Sequence, residues 1–232
     1  MDFRNKVAVV TGASGNVGIA VVEAFLVNGA TVAGVDRETT ALTDRQDPKA
    51  AGRIKAFSAD VTKEDEVRTL FKDIAKQLGG VDFLVHTVGG FKGGTKLNET
   101  SFEDWEKMQT LNVRSAFLCS KYALRHMEKR GGGKIITISA MAALEPKANR
   151  AAYLVAKAGV VALTRAIAVE GKKINVQANA VAPSIILTEA NKKAMPDMDH
   201  SEWVKPEDIG ETIVHLCSPA SASITDTVIK ML

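Results

Sequence analysis

Seven runs of apolar and β-branched residues recur along the chain, and segments with a helical period separate them. Most runs are continuous rather than alternating, as in strands that are buried on both faces of a sheet. Strands and helices alternate from end to end with no linker rich in Pro, Gly or Ser. This order predicts one α/β domain over 1–232, with a doubly wound parallel seven-stranded sheet and helices on both faces. The predicted strands are 7–10, 31–35, 54–57, 83–85, 135–138, 176–181 and 227–229.

Two predicted helices carry a capping signal at the start. Thr62 is the predicted N-cap of a helix over 64–78. Ser101 is followed three residues later by Asp104, which is a capping-box pattern. Both helices therefore begin soon after the loop that precedes them.

The first predicted strand runs into TGASGNVG at 11–18, a loop with glycines at 12, 15 and 18. Glycine permits a tight turn and a close approach of helix to sheet, and the N–H groups at a helix N-terminus bind phosphate. The loop is interpreted as a dinucleotide cradle, although its spacing is G-x-x-G-x-x-G. A strand-to-helix turn without a ligand is the alternative.

Asp36 stands at the end of the second predicted strand. A carboxylate there accepts hydrogen bonds from both adenosine ribose hydroxyls and repels a 2′-phosphate. The neighbouring Arg37 would attract that phosphate. Because the acid is at the strand end itself, the sequence favours NAD over NADP.

Tyr153 and Lys157 are four residues apart and share a face of the predicted helix over 151–170. A nearby ammonium favours the phenolate, so Lys157 and a cationic nicotinamide are expected to lower the pKa of Tyr153. The phenol would then exchange a proton with a substrate oxygen. Ser139 ends the preceding strand and either donates to the same oxygen or caps a turn. Because such pairs also arise by chance, the combination of motifs matters more than any one of them.

Together these motifs resemble the single-domain branch of the short-chain dehydrogenase/reductase family over most of the chain, 7–229. The resemblance implies a Rossmann-type fold and hydride transfer with a nicotinamide cofactor. The residues that carry it are TGASGNVG, Asp36, Asp60-Val61, Asn112, Ser139, Tyr153-x-x-x-Lys157 and NAVAPSIILT at 179–188.

The resemblance also implies roles. Asn112 would hold a water of a proton relay through its backbone, and Ser139 would orient the substrate. Tyr153 would be the acid and base, and Lys157 would assist it and bind the nicotinamide ribose. The expected cofactor-binding residues are Gly12, Ser14, Gly15, Asn16, Val17, Gly18, Asp36, Arg37, Asp60, Val61, Thr87, Val88, Gly89, Tyr153, Lys157, Pro183, Ile186 and Thr188.

Three positions depart from the family pattern. A family glycine of the cofactor loop falls on Asn16, a residue type that tolerates a left-handed backbone. The family's Asn-Asn-Ala-Gly is His-Thr-Val-Gly at 86–89, and His86 is expected to lie in a hydrogen-bond network rather than to act as a second base. Ser184 replaces the glycine of Pro-Gly and restricts the backbone there.

The substrate is expected to meet loops that follow the strands. Segments 37–53 and 189–203 interrupt the strand–helix alternation, and irregular segments of this kind carry specificity. We call 189–203 the lid segment; Met198 and Trp203 are candidates to cover a substrate together with Met195, with surface packing as the alternative for the methionines. The predicted substrate-binding residues are Phe91, Ser139, Met141 and Met195.

Three functions remain open at this point. The first is an NAD-dependent oxidoreductase acting on a small alcohol or carbonyl compound. The second is an NADPH-linked 3-oxoacyl-[acyl-carrier-protein] reductase, against which Asp36 and the absence of a basic docking patch argue. The third is a non-catalytic dinucleotide-binding redox regulator, which would not need the proton donor Tyr153.

Composition and charge limit the classes of partner that this chain is expected to bind. The net charge is +3 and no dense basic tract occurs, so nucleic acid is not an expected partner. Lys157 and Arg165 interrupt the most apolar segment, so no membrane span is expected, and no metal site is predicted. Cys119 and Cys217 are isolated, which suits reduced thiols in the cytoplasm. The predicted helix over 151–170 is apolar on most sides, which predicts a homo-oligomer, a tetramer or a dimer.

Overall fold

The computed structural model describes residues 1–43 and 52–232. Seven strands lie in one sheet, and neighbouring strands are parallel. They are β1 (Val7–Thr11), β2 (Thr31–Asp36), β3 (Ile54–Ser58), β4 (Phe83–His86), β5 (Gly133–Ile138), β6 (Val176–Pro183) and β7 (Thr227–Met231). The spatial order is β3-β2-β1-β4-β5-β6-β7, so the order reverses between β1 and β4. The predicted doubly wound parallel sheet is confirmed, and the strand ends differ by one or two residues.

Helices cover both faces of this sheet. They are α1 (Asn16–Val27), α2 (Thr40–Thr43), α3 (Glu64–Leu78), α4 (Phe102–Met108), α5 (Ser115–Arg130), α6 (Ala151–Gly171), α7 (Glu189–Ala194) and α8 (Pro206–Cys217). A π-helical segment, Gln109–Arg114, joins α4 to α5.

Two apolar clusters separate the faces because successive strand side chains point to opposite sides. Val10 of β1 packs in one cluster with Phe25 of α1 and Ile213 of α8. Val9 packs in the other with Phe71 of α3, and residues of α5 and α6 complete that cluster. Inner strands such as β1 and β4 are therefore buried on both faces, which explains their continuous apolar runs, whereas the edge strands β3 and β7 are partly exposed.

One of the two predicted helix caps is present. The Ser101 hydroxyl accepts the N–H of Asp104 at 3.1 Å at the start of α4. The prediction for Thr62 is wrong, because the N-cap of α3 is Lys63, and its side chain makes no capping bond. The N–H and hydroxyl of Thr62 instead donate to the Asp60 carboxylate, at 3.0 and 2.6 Å. A tight turn at Asp60 thus takes the hydroxyl that the helix was expected to use.

Helix α6 is more apolar than the sequence expectation allowed. The helical stretch Ala151–Ile174 has a mean hydropathy of 1.6 and is long and apolar enough to cross a membrane, despite Lys157 and Arg165. Core helices of globular proteins pass the same test. Here α6 packs along β6 and the π-helical segment, and its Lys157 is buried inside the fold. The helix is therefore described as a core helix.

The candidate site lies beyond the carboxyl ends of the strands. Predicted irregular segment 37–53 is described only in part, since residues 44–51 lie outside the described residues. The lid segment contains α7, and an isolated parallel bridge pairs Ile186 with Val204 at the two ends of this region. The strand order reverses between β1 and β4, which is where ligands bind in sheets of this kind.

Candidate active site

The glycine loop between β1 and α1 leaves no room for side chains at two positions. Gly12 has φ +69°, and a Cβ there would lie 2.7 Å from Thr87 Oγ1. A Cβ at Gly18 would collide with the carbonyl oxygen of Gly12. Both residues therefore need to be glycine for backbone reasons, and the loop keeps its surface open.

The N-terminus of α1 is free to receive an anion. Gly15 is the N-cap, with φ −79° and ψ 164°, and no side chain caps the helix. Asn16 is the first helical residue and has no positive φ, so the left-handed backbone considered for it is not needed. Its side chain is exposed. Uncapped N–H groups next to Gly12 and Gly15 fit the pyrophosphate of a dinucleotide.

The carboxylate of Asp36 is tied to the same loop. Its Oδ2 accepts the N–H of Ser14 at 3.0 Å, and its Oδ1 accepts the N–H of Arg37 at 2.8 Å. The Ser14 hydroxyl donates to the carbonyl of Glu38 at 2.7 Å. The end of β2 and the glycine loop are thereby joined, with the acid at their junction.

A cavity of about 450 Å³ runs from this junction along the carboxyl ends of the strands. Predicted cofactor residues from the glycine loop, β2, the Asp60 turn and the segment after β4 line it together. Residues of α4 and the π-helical segment also line the cavity, and the sequence analysis did not predict them. The lining residues are Gly12, Gly15, Val35, Asp36, Arg37, Ala59, Asp60, Val61, Thr62, Thr87, Val88, Gly89, Lys107, Thr110 and Leu111.

Asn112 is buried in the π-helical segment and is held by backbone groups. Its Nδ2 donates to the carbonyls of Met108, at 2.9 Å, and Gly90, at 3.2 Å, and its Oδ1 accepts the N–H of Gly90 at 3.2 Å. A Cβ on Gly89 would lie 2.7 Å from Asn112 Oδ1 and 3.0 Å from Lys157 Nζ. Asn112 Oδ1 and Lys157 Nζ thus both lie close to Gly89, and the water relay through the Asn112 backbone stays a prediction.

Ser139 and Lys157 are linked where β5 ends. The Ser139 hydroxyl donates to the backbone carbonyl of Lys157 at 2.9 Å, and both residues are buried. The Lys157 ammonium donates to the carbonyl of Ile138 at 2.9 Å. Burial lowers the pKa of Lys157 to about 8.

The pKa of Tyr153 differs from the expectation. Burial raises the pKa of Tyr153 to about 12, and Arg150 acts weakly against this rise. The predicted lowering of this pKa is therefore wrong for the protein alone. The Lys157 ammonium lies 6.0 Å from the centre of the Tyr153 ring and donates to Ile138 instead. The phenol stays protonated at neutral pH in this arrangement.

The predicted substrate-side residues differ in how far they are exposed. The ring of Phe91, which is 62% exposed, stands edge-on to the Tyr153 ring with their centres 4.9 Å apart. Met141 is buried in a short turn after Ser139, and Met195 follows α7 and is half-buried. Trp203 does not serve as a cover, because it is only 6% exposed and packs inside the fold.

Residues just after β6 make hydrogen bonds to the neighbouring helix α7 in this structure. The Thr188 hydroxyl caps α7 by accepting the N–H of Asn191 at 3.2 Å. The carbonyl of Ile186 accepts the Asn191 side chain at 2.8 Å. Pro183 is the last residue of β6 and is buried. These positions border the carboxyl end of β6, next to β5 and Ser139.

His86 lies in a hydrogen-bond network, as predicted. Its Nδ1 is 2.9 Å from Thr11 Oγ1, and its Nε2 is 3.0 Å from Ser115 Oγ. Because Ser115 Oγ donates to the carbonyl of Leu111 at 2.6 Å, it accepts from Nε2–H, and Nδ1 then accepts from Thr11. Burial lowers the pKa of His86 to about 3, so the ring is neutral.

Comparison with known proteins gives concordant matches. The family model described as short chain dehydrogenase matches residues 6–199. The chain is 32% identical to the 7alpha-hydroxysteroid dehydrogenase of Escherichia coli (strain K12), over 100% of this chain and 94% of that protein. It is 31% identical to the NAD-dependent glycerol dehydrogenase of Listeria innocua, over 97% and 91% of the two chains.

A solved structure agrees with these matches. A short-chain type dehydrogenase/reductase from Mycobacterium ulcerans superposes with a TM-score of 0.93 at 26% identity, over 99% of this chain and 89% of that one. The family model covers well over half of the sequence, and the fold match extends over nearly all of it. The chain belongs to the short-chain dehydrogenase/reductase family of NAD(P)-dependent oxidoreductases.

Proposed function

We propose that this protein is an NAD-linked oxidoreductase that interconverts a small alcohol and its carbonyl compound, with Tyr153 as the acid and base. One observation carries the proposal. Asn112 Oδ1 and Lys157 Nζ both lie next to Gly89. The Ser139 hydroxyl donates a hydrogen bond to the backbone carbonyl of Lys157, so three of the four predicted catalytic residues lie together. The fourth, Tyr153, is one helical turn before Lys157.

The glycine loop fits a dinucleotide, which would supply or accept the hydride. Gly12 and Gly18 would hold the backbone open for the pyrophosphate, and Lys157 would bind the nicotinamide ribose. Ser139 would donate a hydrogen bond to the substrate oxygen. Tyr153 would give its proton to that oxygen during reduction, and its pKa of about 12 keeps the proton in place at neutral pH until then.

Alcohol oxidation needs the reverse proton transfer, and a neutral phenol is a poor base. For oxidation, more positive charge would be needed beside Tyr153, because such charge lowers the pKa of the phenol. Two cations of the chain are candidates: the buried Lys157 ammonium, at 6.0 Å from the ring centre, and Arg150, which already opposes the rise of this pKa. We therefore expect carbonyl reduction to be the easier direction at neutral pH.

The preference for NAD rests on Asp36. Its carboxylate stands at the cavity beside Ser14, where a 2′-phosphate would meet a like charge. The relative from Listeria innocua is described as NAD-dependent, in line with this choice. Arg37 lies on the same cavity wall but is exposed, so its charge is screened by water.

A direct test uses the two tyrosines of the chain. Oxidation of NADH and NADPH is followed with aldehydes, ketones, quinones and oxoacyl thioesters. Tyr153→Phe is expected to abolish turnover and to leave NADH binding, measured by fluorescence, nearly unchanged. Tyr122→Phe is the matched control, because its hydroxyl donates to Glu64 on another surface, at 3.1 Å. Turnover by Tyr153→Phe at the rate of the wild type would refute the assigned role.

The same panel separates the other two functions. An acyl-carrier-protein reductase would use oxoacyl thioesters with NADPH and leave small free carbonyls untouched. A redox regulator would bind the dinucleotide and reduce nothing. The carboxylate at Asp36 disfavours the first, and the grouping of Ser139, Lys157 and Asn112 disfavours the second.

We also propose a cytoplasmic homo-oligomer, a dimer or a tetramer. Val155 and Val169 of α6 are exposed, as are Phe102 of α4 and Phe117 of α5, with 76% of Phe102 accessible. Large apolar side chains on neighbouring helices are typical of subunit contacts. Light scattering of the purified chain at micromolar concentration should give a mass of two or four subunits; a monomer would contradict this proposal.

A further inference from the structure

Arg150 belongs to a stack of side chains that ends at the proposed acid. It is the N-cap residue of α6, three residues before Tyr153. Its guanidinium carbon lies 5.8 Å from the centre of the Phe91 ring. The Phe91 ring in turn stands edge-on to the Tyr153 ring, 4.9 Å away between centres. A cation and the proposed proton donor thus both contact the same aromatic ring.

The Arg150 guanidinium has no anionic partner among the residues that the structure describes. Other arginines do: Arg68 pairs with Asp65 at 2.9 Å, and Arg130 pairs with Asp82 at 3.0 Å. Arg150 is half-buried, and cations removed from water are normally paired. Its contact with Phe91 is a cation–π contact, which leaves its N–H groups without a carboxylate among the described residues.

The neighbouring acid on the same loop is already engaged. Glu145, the nearest acid before Arg150 in sequence, lies 3.5 Å from Lys230. Arg150 is also close enough to Tyr153 to oppose the rise of the phenol's pKa that burial causes. A positive charge without a partner therefore acts on the proposed reaction centre itself.

We propose that Arg150 binds a carboxylate of the substrate, which makes the substrate a small hydroxy acid or the corresponding oxo acid. This inference rests on the proposed function and adds the substrate class. The planar guanidinium fork matches a carboxylate in a bidentate arrangement, and a single arginine matches a single negative charge. Phe91 would provide the apolar surface for the carbon chain between the carboxylate and the carbonyl group.

Exposed cations on the same loop offer a control. Lys147 is three residues before Arg150 and is exposed. General attraction of anions to this edge would depend on Lys147 and Arg150 alike, and it would weaken with added salt. A specific carboxylate site depends on Arg150 alone.

The test compares charged and neutral forms of one carbonyl compound. Four- and five-carbon oxo acids with the ketone at position 2 or 3, and the five-carbon acid with the ketone at position 4, are each paired with their methyl esters, and kcat/KM is measured with NADH. For the preferred ketone position, the wild-type protein is expected to reduce the acid at least about tenfold better than the ester. Arg150→Met should lose about 10- to 100-fold on the acid, mainly through KM, and change little on the ester.

Two further variants and one binding assay sharpen the result. Arg150→Lys should recover part of the acid activity, and Lys147→Met should behave as the wild type. Butyrate, which has a carboxylate and no ketone, should inhibit the wild type competitively and lose this effect in Arg150→Met. NADH binding and thermal melting establish that each variant is folded.

The outcomes are distinguishable. If esters are reduced as well as acids, or if Arg150→Met lowers both rates equally, the carboxylate site is refuted and the oxidoreductase proposal stands. If a phosphate monoester of a hydroxyketone outcompetes every oxo acid, the substrate class is wrong. If no carbonyl compound in the panel is reduced with either cofactor, the proposed function fails and this inference with it.

Discussion

The ammonium of Lys157 donates a 2.9 Å hydrogen bond to the backbone carbonyl of Ile138, the residue before Ser139. This bond fixes the lysine at the end of β5, beside Ser139. The Ser139 hydroxyl in turn donates to the backbone carbonyl of Lys157. Burial lowers the pKa of this ammonium to about 8. The charge of the site therefore changes at mildly alkaline pH.

A pH dependence follows for carbonyl reduction. Lys157 is charged below pH about 8 and neutral above it, whereas Tyr153, with a pKa of about 12, stays protonated throughout. We expect kcat/KM with NADH to be level near pH 7 and to fall about tenfold per pH unit well above pH 8.

Two variants test the assignment of this decline to Lys157. Lys157→Arg keeps a charge at all of these pH values, so the decline should move upward by more than one pH unit, although kcat is lower. Lys172→Arg, at an exposed position after α6, should leave the profile unchanged. A wild-type profile that stays level to pH 9.5 would exclude Lys157 as the titrating group.

Gly89 separates two predicted catalytic residues, and adding one methyl group there should disturb both. In Gly89→Ala the new Cβ would meet Asn112 Oδ1 at 2.7 Å and Lys157 Nζ at 3.0 Å. The Asn112 amide is held on both sides by Gly90, so it has to break hydrogen bonds to move. We expect kcat to fall by about tenfold to hundredfold with little change in thermal stability.

Gly90→Ala is the control for this prediction. A Cβ at Gly90 would meet the end of the flexible Leu111 side chain at 3.0 Å, which can turn away. Its activity should remain within about threefold of the wild type. Equal losses in the two variants would mean that the loop as a whole, rather than Asn112 and Lys157, limits activity.

Asp36 should set the choice between the two cofactors. Asp36→Asn keeps an acceptor for the Ser14 N–H and removes the negative charge. The ratio of the Kd for NADPH to the Kd for NADH, from fluorescence titration, should fall by about tenfold or more. Glu38→Gln, at an exposed acid two residues on, should leave the ratio unchanged. An unchanged ratio in Asp36→Asn would remove the basis for preferring NAD.

Local sequence signals were enough to predict the frame of this molecule. Continuous β-branched runs marked the strands because the inner strands are buried on both faces. The family resemblance carried by the order of the motifs predicted that Asn112, Ser139 and Lys157 share one site. Strand ends that face one edge of a parallel sheet bring such residues together without further information.

Features that depend on packing between distant segments could not be predicted. The pKa of Tyr153 is set by burial, and its ring packs against Phe91 of another loop, which no spacing along α6 reveals. Lys107 of α4 and Thr110 of the π-helical segment line the cavity, five and two residues before Asn112, and no motif in the sequence marked them. Trp203 was expected to help cover a substrate, but it is 6% exposed and packs against His200, 4.2 Å away between ring centres.

The neutral, buried His86 should make the protein sensitive to acid. The pKa of His86 is about 3 in the folded chain and near 6.5 in an unfolded one, so below pH 6.5 only the unfolded state takes up the proton. The free energy of unfolding should fall as pH drops from 6.5 toward 3, by up to about 1.4 kcal/mol per pH unit from this group. His86→Asn is expected to lose this share of the slope, and at pH 7 to cost about 1–3 kcal/mol through the broken contacts with Thr11 and Ser115. Urea unfolding at pH 7.0, 5.5 and 4.5 measures both effects. His215→Asn, at an exposed histidine of α8, should retain the wild-type slope, and the same slope in His86→Asn would show that His86 is not the group that titrates.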